Sequence, residues 1–366
     1  MPIKLKDNIR KLNTRVMSLS WRPYSRLFLK SDSAAWVLSE EMRALNDICE
    51  QLRIQTEDAS LVSHIKRQSI FFASRYELLR SEVWKHSTNR LATAYFHGKP
   101  GTGESAFDEM HHLLKEAHPH IHRIQVSHTE MQDVVLSAGI DPQKVFLIPI
   151  GIDINAFQLS TEDAKKAARL RLGIPESAVV VGSFQKDGTG WGEGNEPKLI
   201  KGPDIFLKAI KQLREGVPEI FVLLTGPSRG YVINGLREMK VPYKHVLFDK
   251  YTDINTAYQC LDLYIIASRQ EGGPKAILES MATGVPLVTT RVGQAMDLVK
   301  HGENAWVVKV EDVEGLAYWS SVALSQSDSA KIEMKQSARQ TAEANSYTAQ
   351  IPLWEKFMEG FVEKQS

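Results

Sequence analysis

The chain is poor in cysteine, in long apolar runs and in net charge. Its 366 residues hold two cysteines, Cys49 and Cys260, far apart in sequence. That excludes a disulfide framework or a cysteine-built zinc site and suits a reducing cytoplasm. No apolar run approaches the roughly 18 residues needed to span a bilayer, and the N-terminus has neither the apolar segment nor the small-residue cleavage site of a signal peptide. The formal net charge is +1, so no global field draws in nucleic acid. Low-complexity tracts and short internal repeats are also missing. With 43% hydrophobic and 24% charged residues, what remains is an ordinary globular composition, long enough for two domains.

One local bias stands against the neutral whole. Between Met1 and Lys30 lie eight basic residues (Lys4, Lys6, Arg10, Lys11, Arg15, Arg22, Arg26 and Lys30) and one acid, Asp7, with Ile9, Leu12 and Val16 at helical spacing. A surface for anionic lipid headgroups and a solvated helix packed on the domain behind it are the two readings.

From about residue 34 short apolar runs alternate with amphipathic stretches. Ala35–Leu38 reads as a strand, followed by a helix through Met42, Leu45, Ile48 and Leu52. Further strands are expected at 70–73, 91–96, 121–126 and 145–148, with helices such as 107–117 and 129–137 between them. The rhythm breaks near Pro149-Ile150-Gly151. It restarts with strands at 179–181, 220–224, 246–248, 263–266 and 285–288, and helices at 204–213 and 274–281. Alternation of this kind predicts βαβ units, and hence two doubly wound parallel α/β domains with ligand sites at the carboxyl ends of the strands. The expected division is 1–155, 156–348 and a C-terminal helix over 349–366 that crosses back to the first domain. The cleft between the domains is then the natural place for a site, and the glycine-rich stretch 186–194 reads as a mobile loop over it.

The densest chemistry lies in Ser268–Leu298, SRQEGGPKAILESMATGVPLVTTRVGQAMDL. A buried strand ends at Ala267, Glu271-Gly272-Gly273-Pro274 makes a turn, and Pro274 suits the first position of the helix that follows. The glycines let backbone approach a ligand, and the helix start favours a diphosphate. Glu271 and Glu279 are placed to accept hydrogen bonds from sugar and ribose hydroxyls.

This segment resembles the signature of the family 4 retaining glycosyltransferases, whose fold is the two-domain GT-B type. The match runs through Ser268, Glu271, Gly272, Glu279, Met281, Ala282, Gly284, Pro286 and Val288. Ile148-Pro149-Ile150-Gly151-Ile152-Asp153 with Phe157 resembles the family's passage into its second domain, and Lys201-Gly202 its phosphate-neutralising Lys-Gly motif. The resemblance implies that Glu271 contacts the donor sugar, that Glu279 binds the ribose and that Lys201 meets donor phosphate. Gly272, Gly273, Pro274, Lys275, Lys186, Gly182, Ser183 and Gly226 complete the implied donor set, and His97 ends a first-domain strand near the donor sugar. Three departures are visible. The family's Gly-Arg pair is Gly182-Ser183-Phe184-Gln185-Lys186 here, its Gly-Gly-x-x-Glu turn is Val292–Asp297, and no glycine-rich loop follows Leu38.

The implied reaction moves a sugar from a UDP- or GDP-linked donor to a glycan or lipid-linked acceptor, as in cell-surface polysaccharide synthesis. The nucleotide sugar is a co-substrate, and no cofactor or metal is expected because the lysines and the helix start neutralise the leaving group. The location implied is the cytoplasm, with peripheral contact at the inner membrane face if the basic segment binds lipid. A GT-B sugar isomerase or phosphorylase and a non-catalytic binding subunit are the rival readings. Two other motifs are set aside. Gly98–Ser105 (GKPGTGES) nearly fits a P-loop, but Glu104 stands where the lysine must be. His118, His120 and His122 alternate as some metal ligands do, but Pro119 interrupts them and no further ligands complete a shell.

Overall fold

The computed structural model describes residues 21–31, 36–59 and 61–364. The helix expected through Ile9, Leu12 and Val16 lies outside them. The chain forms two compact units, one of residues 1–150 and 347–366, the other of residues 151–346.

Unit 1 is built on a parallel sheet of β1 (Leu27–Lys30), β2 (Thr56–Asp58), β3 (Ser69–Phe72), β4 (Arg90–Ala94), β5 (Ile121–Val126) and β6 (Val145–Leu147). Its spatial order is β2-β1-β3-β4-β5-β6. The central strands are buried on both faces, which is why they read as continuous apolar runs. One face carries Leu78, Leu79, Met110, Leu114 and Val135 from the crossover helices. The other is closed by Met42, Leu45 and Cys49 and by the C-terminal helix Ile351–Met358, whose Trp354 and Phe357 stack edge-on against Phe71. Beyond that helix Arg90 donates to the Phe361 carbonyl at 3.1 Å, and Ser69 donates to the same oxygen. Burial lifts the Cys49 thiol to about 12, so it behaves as a small hydrophobe.

Unit 2 carries β7 (Val179–Phe184), β8 (Ile220–Thr225), β9 (Tyr243–Val246), β10 (Leu263–Ile266), β11 (Leu287–Thr290) and β12 (Trp306–Val308), again all parallel. The order β12-β11-β10-β7-β8-β9 reverses between β10 and β7. Loops leaving the carboxyl ends of those two strands diverge to opposite faces, and the crevice between them is where this topology binds ligands. Helix ends follow local chemistry. Thr161 caps Glu162–Leu172 through the Ala164 N–H at 3.1 Å, and Asp312 caps Val313–Ser325 through the Gly315 N–H at 2.7 Å. The two-domain α/β class expected from the sequence is the one observed.

Several elements differ from the expectation. Ala35–Leu38 is not a strand: residues from Trp36 onward form the helix Trp36–Gln51, since Leu38, Met42, Leu45 and Cys49 continue one face at helical spacing. The first strand is Leu27–Lys30, hidden in the basic segment because Arg26 and Lys30 flank it. Those two residues pair with Glu57 and Glu77, so they serve the fold. The loop that follows the first strand therefore begins after Lys30 and not after Leu38, and residues 32–35 lie outside the described residues. β9 ends where a strand was expected to begin, leaving Leu247 exposed. No helix among the described residues is long and apolar enough to cross a membrane.

Candidate active site

The carboxyl ends of β7 and β10 deliver two loops to the switch point of unit 2. β10 ends at Ile266 and leads through Ala267 and Ser268 to Glu271. The turn Leu199–Lys201 and Gly202 are laced to that loop. Arg269 N–H and Gln270 N–H both donate to the Ile200 carbonyl, at 2.9 and 3.2 Å. The Arg269 guanidinium forks onto both oxygens of Asp204 at 2.8 Å, donates to the Leu199 carbonyl at 2.6 Å and meets Glu311 at 2.7 Å. That pairing holds the Asp204 carboxyl below its usual range. Gly202, at φ +64, sits where a Cβ would lie 2.7 Å from the Ala267 carbonyl carbon, so only glycine fits.

This lacing brings Lys201 Nζ to 2.5 Å from Glu271 Oε2. Ser268 Oγ donates to the other carboxylate oxygen at 2.8 Å, and Gln185 Nε2, from the end of β7, donates to the Lys201 carbonyl at 2.9 Å. Lysine, carboxylate, hydroxyl and amide from three segments thus share one small network. Glu271 is turned by Gly272 and Gly273 toward Pro274, which caps the helix Lys275–Thr283 instead of opening it. Gly293 packs beneath the turn, and a Cβ there would lie 2.9 Å from the Glu271 carbonyl oxygen.

Glu279 is deeper than expected, 4% exposed. Tyr251 donates to Oε1, and Tyr258 donates to Oε2 at 2.8 Å. Tyr258 stacks on Tyr264 with centroids 5.3 Å apart, and Phe184 meets Tyr258 edge-on at 4.9 Å. Burial pushes the Glu279 carboxyl up, against the opposing pull of the two tyrosines and of Lys275. Lys275 is itself buried, with Nζ 5.3 Å from the Tyr251 ring centroid.

The remaining expected donor residues divide. Lys186 follows β7, its Nζ 4.4 Å from the ring centroid of Trp191, which is 70% exposed. Gly182 faces the core instead: a Cβ there would lie 2.5 Å from Leu261 Cδ1. Ser183 is buried and accepts from Arg229, and the Gly226 carbonyl contacts His245 Nε2 at 2.7 Å. The stretch 186–194 is pinned, not loose. Ser228 Oγ is 2.9 Å from the Gly192 carbonyl, and Gly230 and Tyr231 N–H donate to the Glu193 and Gly194 carbonyls. His97 belongs to unit 1, where its ring meets Phe107 edge-on at 5.8 Å.

Sequence reasoning missed Arg229 and Asp187. Arg229 is fully buried, donates to the Ser183 and Thr225 carbonyls at 2.6 Å and pairs with Asp187 at 2.9 Å. It thereby ties the carboxyl ends of β7 and β8 together just before Lys186. Asp187 Oδ2 has no hydrogen-bond partner, and burial raises its carboxyl against the pull of Arg229. An arginine in a loop carries no local signal of such a role. His118 and His120 lie in a short turn and His122 on β5, and among the described residues no three His, Cys, Asp or Glu are grouped to hold a metal.

The segment that supplies this network matches a family model. Residues 194–321 fit the model described as glycosyl transferases group 1. The D-inositol 3-phosphate glycosyltransferase of Corynebacterium urealyticum is 27% identical over 71% of this chain and 61% of its own length. An Escherichia coli UDP-Gal:alpha-D-GlcNAc-diphosphoundecaprenol alpha-1,3-galactosyltransferase is 24% identical over 52% of this chain and 48% of its own length. The chain therefore spans about half to three-fifths of these curated relatives. Among solved structures, Anabaena HepE in complex with UDP and glucose superposes with a TM-score of 0.72 at 17% identity, covering 92% of this chain and all of that one. Sucrose-phosphate synthase from Thermosynechococcus elongatus gives 0.71 at 14% identity, over 92% of this chain and 98% of its own. These likenesses identify the GT-B fold.

Proposed function

We propose that the chain is a retaining glycosyltransferase that moves a sugar from a nucleoside diphosphate sugar to a hydroxyl of a glycan or lipid-linked acceptor. The observation that carries this reading is the Lys201–Glu271 pair, held by Ser268 and Gln185 at the β7/β10 switch point. A lysine salt-bridged at 2.5 Å needs little reorganisation to share its charge with an incoming diphosphate. Lys186 adds a second cation, so on this reading the charge of the leaving group is met without a metal. Glu271, relieved of part of its pairing, accepts from the sugar hydroxyls. The Glu279 oxygens accept one hydrogen bond each, from Tyr251 and Tyr258, and on this reading a ribose hydroxyl takes one of the remaining lone pairs.

In the reaction the bond from the anomeric carbon to the diphosphate oxygen breaks, and the acceptor oxygen bonds to that carbon on the same face. The acceptor proton passes to the departing phosphate oxygen. The UDP-bound Anabaena protein makes UDP the first nucleotide to try, with GDP beside it. Calorimetric titration with each, repeated with Lys201→Met, tests the site: tight binding of one nucleotide, weakened at least about tenfold in the variant, is expected for a lost charge-assisted contact. Absence of binding by either nucleotide would remove the reading. An inverted product anomer would leave the transferase and exclude retention.

A further inference from the structure

Unit 1 contains a cation without a counter-charge. Arg75 opens the short helix after β3, is 3% exposed, and forms no ion pair with any carboxylate among the described residues. Its guanidinium lies between the rings of Tyr76 and Tyr95, 4.4 and 4.5 Å from their centroids, and its one hydrogen bond is to the Tyr76 hydroxyl at 3.1 Å. Arg75 Nε and the Tyr95 hydroxyl have no hydrogen-bond partner at all. An arginine stays charged, and burying that charge unpaired costs several kcal/mol, so a partner is wanted. Tyrosine faces offset only part of that cost.

The surroundings are those of a ligand site. Arg75 follows β3, at the point where the order β2-β1-β3-β4 reverses, which is the crevice such sheets use. Its cover is the GKPGTGES loop. Gly98, at φ +105, passes over the guanidinium so closely that a Cβ would lie 2.5 Å from Nη2. Gly101 and Gly103, also at positive φ, stand with nothing within 4 Å of where a Cβ would be. Over the guanidinium the cover is the Gly98 backbone, with the Phe107 ring beside it.

We propose that Arg75 and the Gly98–Ser105 loop form an oxyanion site in unit 1, and that it receives a phosphate group carried by the acceptor. The anion site stands on the geometry of Arg75. Its assignment to the acceptor rests on the glycosyltransferase reading. The planar fork that now meets tyrosine faces would pair two N–H groups with two phosphate oxygens, and the site's neutral aromatic walls would strengthen that pairing.

The test is titration of the whole protein with inorganic phosphate while UDP is held at saturation, so that the unit 2 site is occupied. Arginine-labelled protein gives a side-chain Nε–H signal for Arg75, identified by its loss in Arg75→Lys. Saturable movement of that one signal, with affinity falling about tenfold or more in Arg75→Lys, is expected for loss of a bidentate contact. An unmoved signal, or equal affinity in the variant, overturns the site. If Arg75→Lys does not fold, Arg75→Gln supplies the assignment, and saturable movement of the wild-type signal then decides. Glucose 6-phosphate and farnesyl phosphate, titrated likewise, separate a sugar-borne from a lipid-borne phosphate, and tighter binding of glucose itself than of its phosphate overturns the acceptor assignment. A failure of UDP to bind strikes the proposed function and leaves the Arg75 titration to be read without it.

Discussion

Gly202→Ala puts the seam between the Lys201 turn and the Glu271 loop under a defined load. Alanine in the left-handed region costs about 1 kcal/mol by itself. Its Cβ would lie 2.7 Å from the Ala267 carbonyl carbon and nearer still to the carbonyl oxygen, against an ordinary separation of about 3.5 Å, so the two segments must part by at least about 1 Å. Among the hydrogen bonds that cross that seam are three from Arg269 and Gln270: their N–H groups to the Ile200 carbonyl, at 2.9 and 3.2 Å, and Arg269 Nη1 to the Leu199 carbonyl at 2.6 Å. Parting by 1 Å takes them out of bonding range, at about 1 kcal/mol each. The sum is about 4 kcal/mol, or a fall of roughly 10 °C in the melting temperature for a unit of this size. Lys201 Nζ moves with the turn, away from Glu271, and nucleotide affinity falls about tenfold. Scanning calorimetry and UDP titration on one preparation read both numbers. An unchanged melting temperature would refute the steric argument. A lowered one with UDP affinity intact would refute the claim that the turn positions Lys201.

Two further outcomes follow from buried charges. The Glu279 carboxyl is raised on folding, so the folded state holds its proton more tightly than the unfolded state, and stability falls as pH rises from the ordinary carboxyl range upward. Glu279→Gln, which mimics the protonated group, should therefore gain stability over the parent with rising pH, by up to about 1.4 kcal/mol per unit of displacement; chemical denaturation at pH 5 and pH 8 measures it, and a difference independent of pH would refute the assignment. Arg229→Met removes the partner of buried Asp187 and should cost about 3–5 kcal/mol in urea unfolding, with part recovered by adding Asp187→Asn. No recovery would mean that Arg229 acts through the Ser183 and Thr225 carbonyls alone.

Local signals were legible and distant ones were not. β3, β8 and β10 announce themselves as apolar runs buried on both faces. β1 is as long as β10, but Arg26 precedes its three apolar residues and Lys30 ends them, so charge masks it. β2 and β12 have three residues each, too few for any period to appear. Lys201, Glu271 and the Gly272-Gly273-Pro274 turn could be read because each lies in a contiguous motif. The tyrosine cap on Glu279 could not, since Tyr251 stands 28 residues before it in another loop. Arg229 and Asp187 meet only because β7 and β8 are neighbours, over a separation of 42 residues. The resemblance implies donor contacts for Gly182 and Ser183, whereas a Cβ at 182 would meet Leu261 and Ser183 lies buried under Arg229.

The return of the chain to unit 1 after residue 346 sets an order on its making. Synthesis runs from the N-terminus, and segments fold as they become available. Residues 151–346 are contiguous, so unit 2 can close without any segment from outside itself. The first 150 residues cannot. Their sheet keeps one face open until Trp354, Phe357 and Phe361 emerge and the Phe361 carbonyl reaches Ser69 and Arg90. The half made first is finished last, and until then Phe71 and its neighbours are exposed to whatever the nascent chain meets. A stop codon at 347 would make that interval permanent.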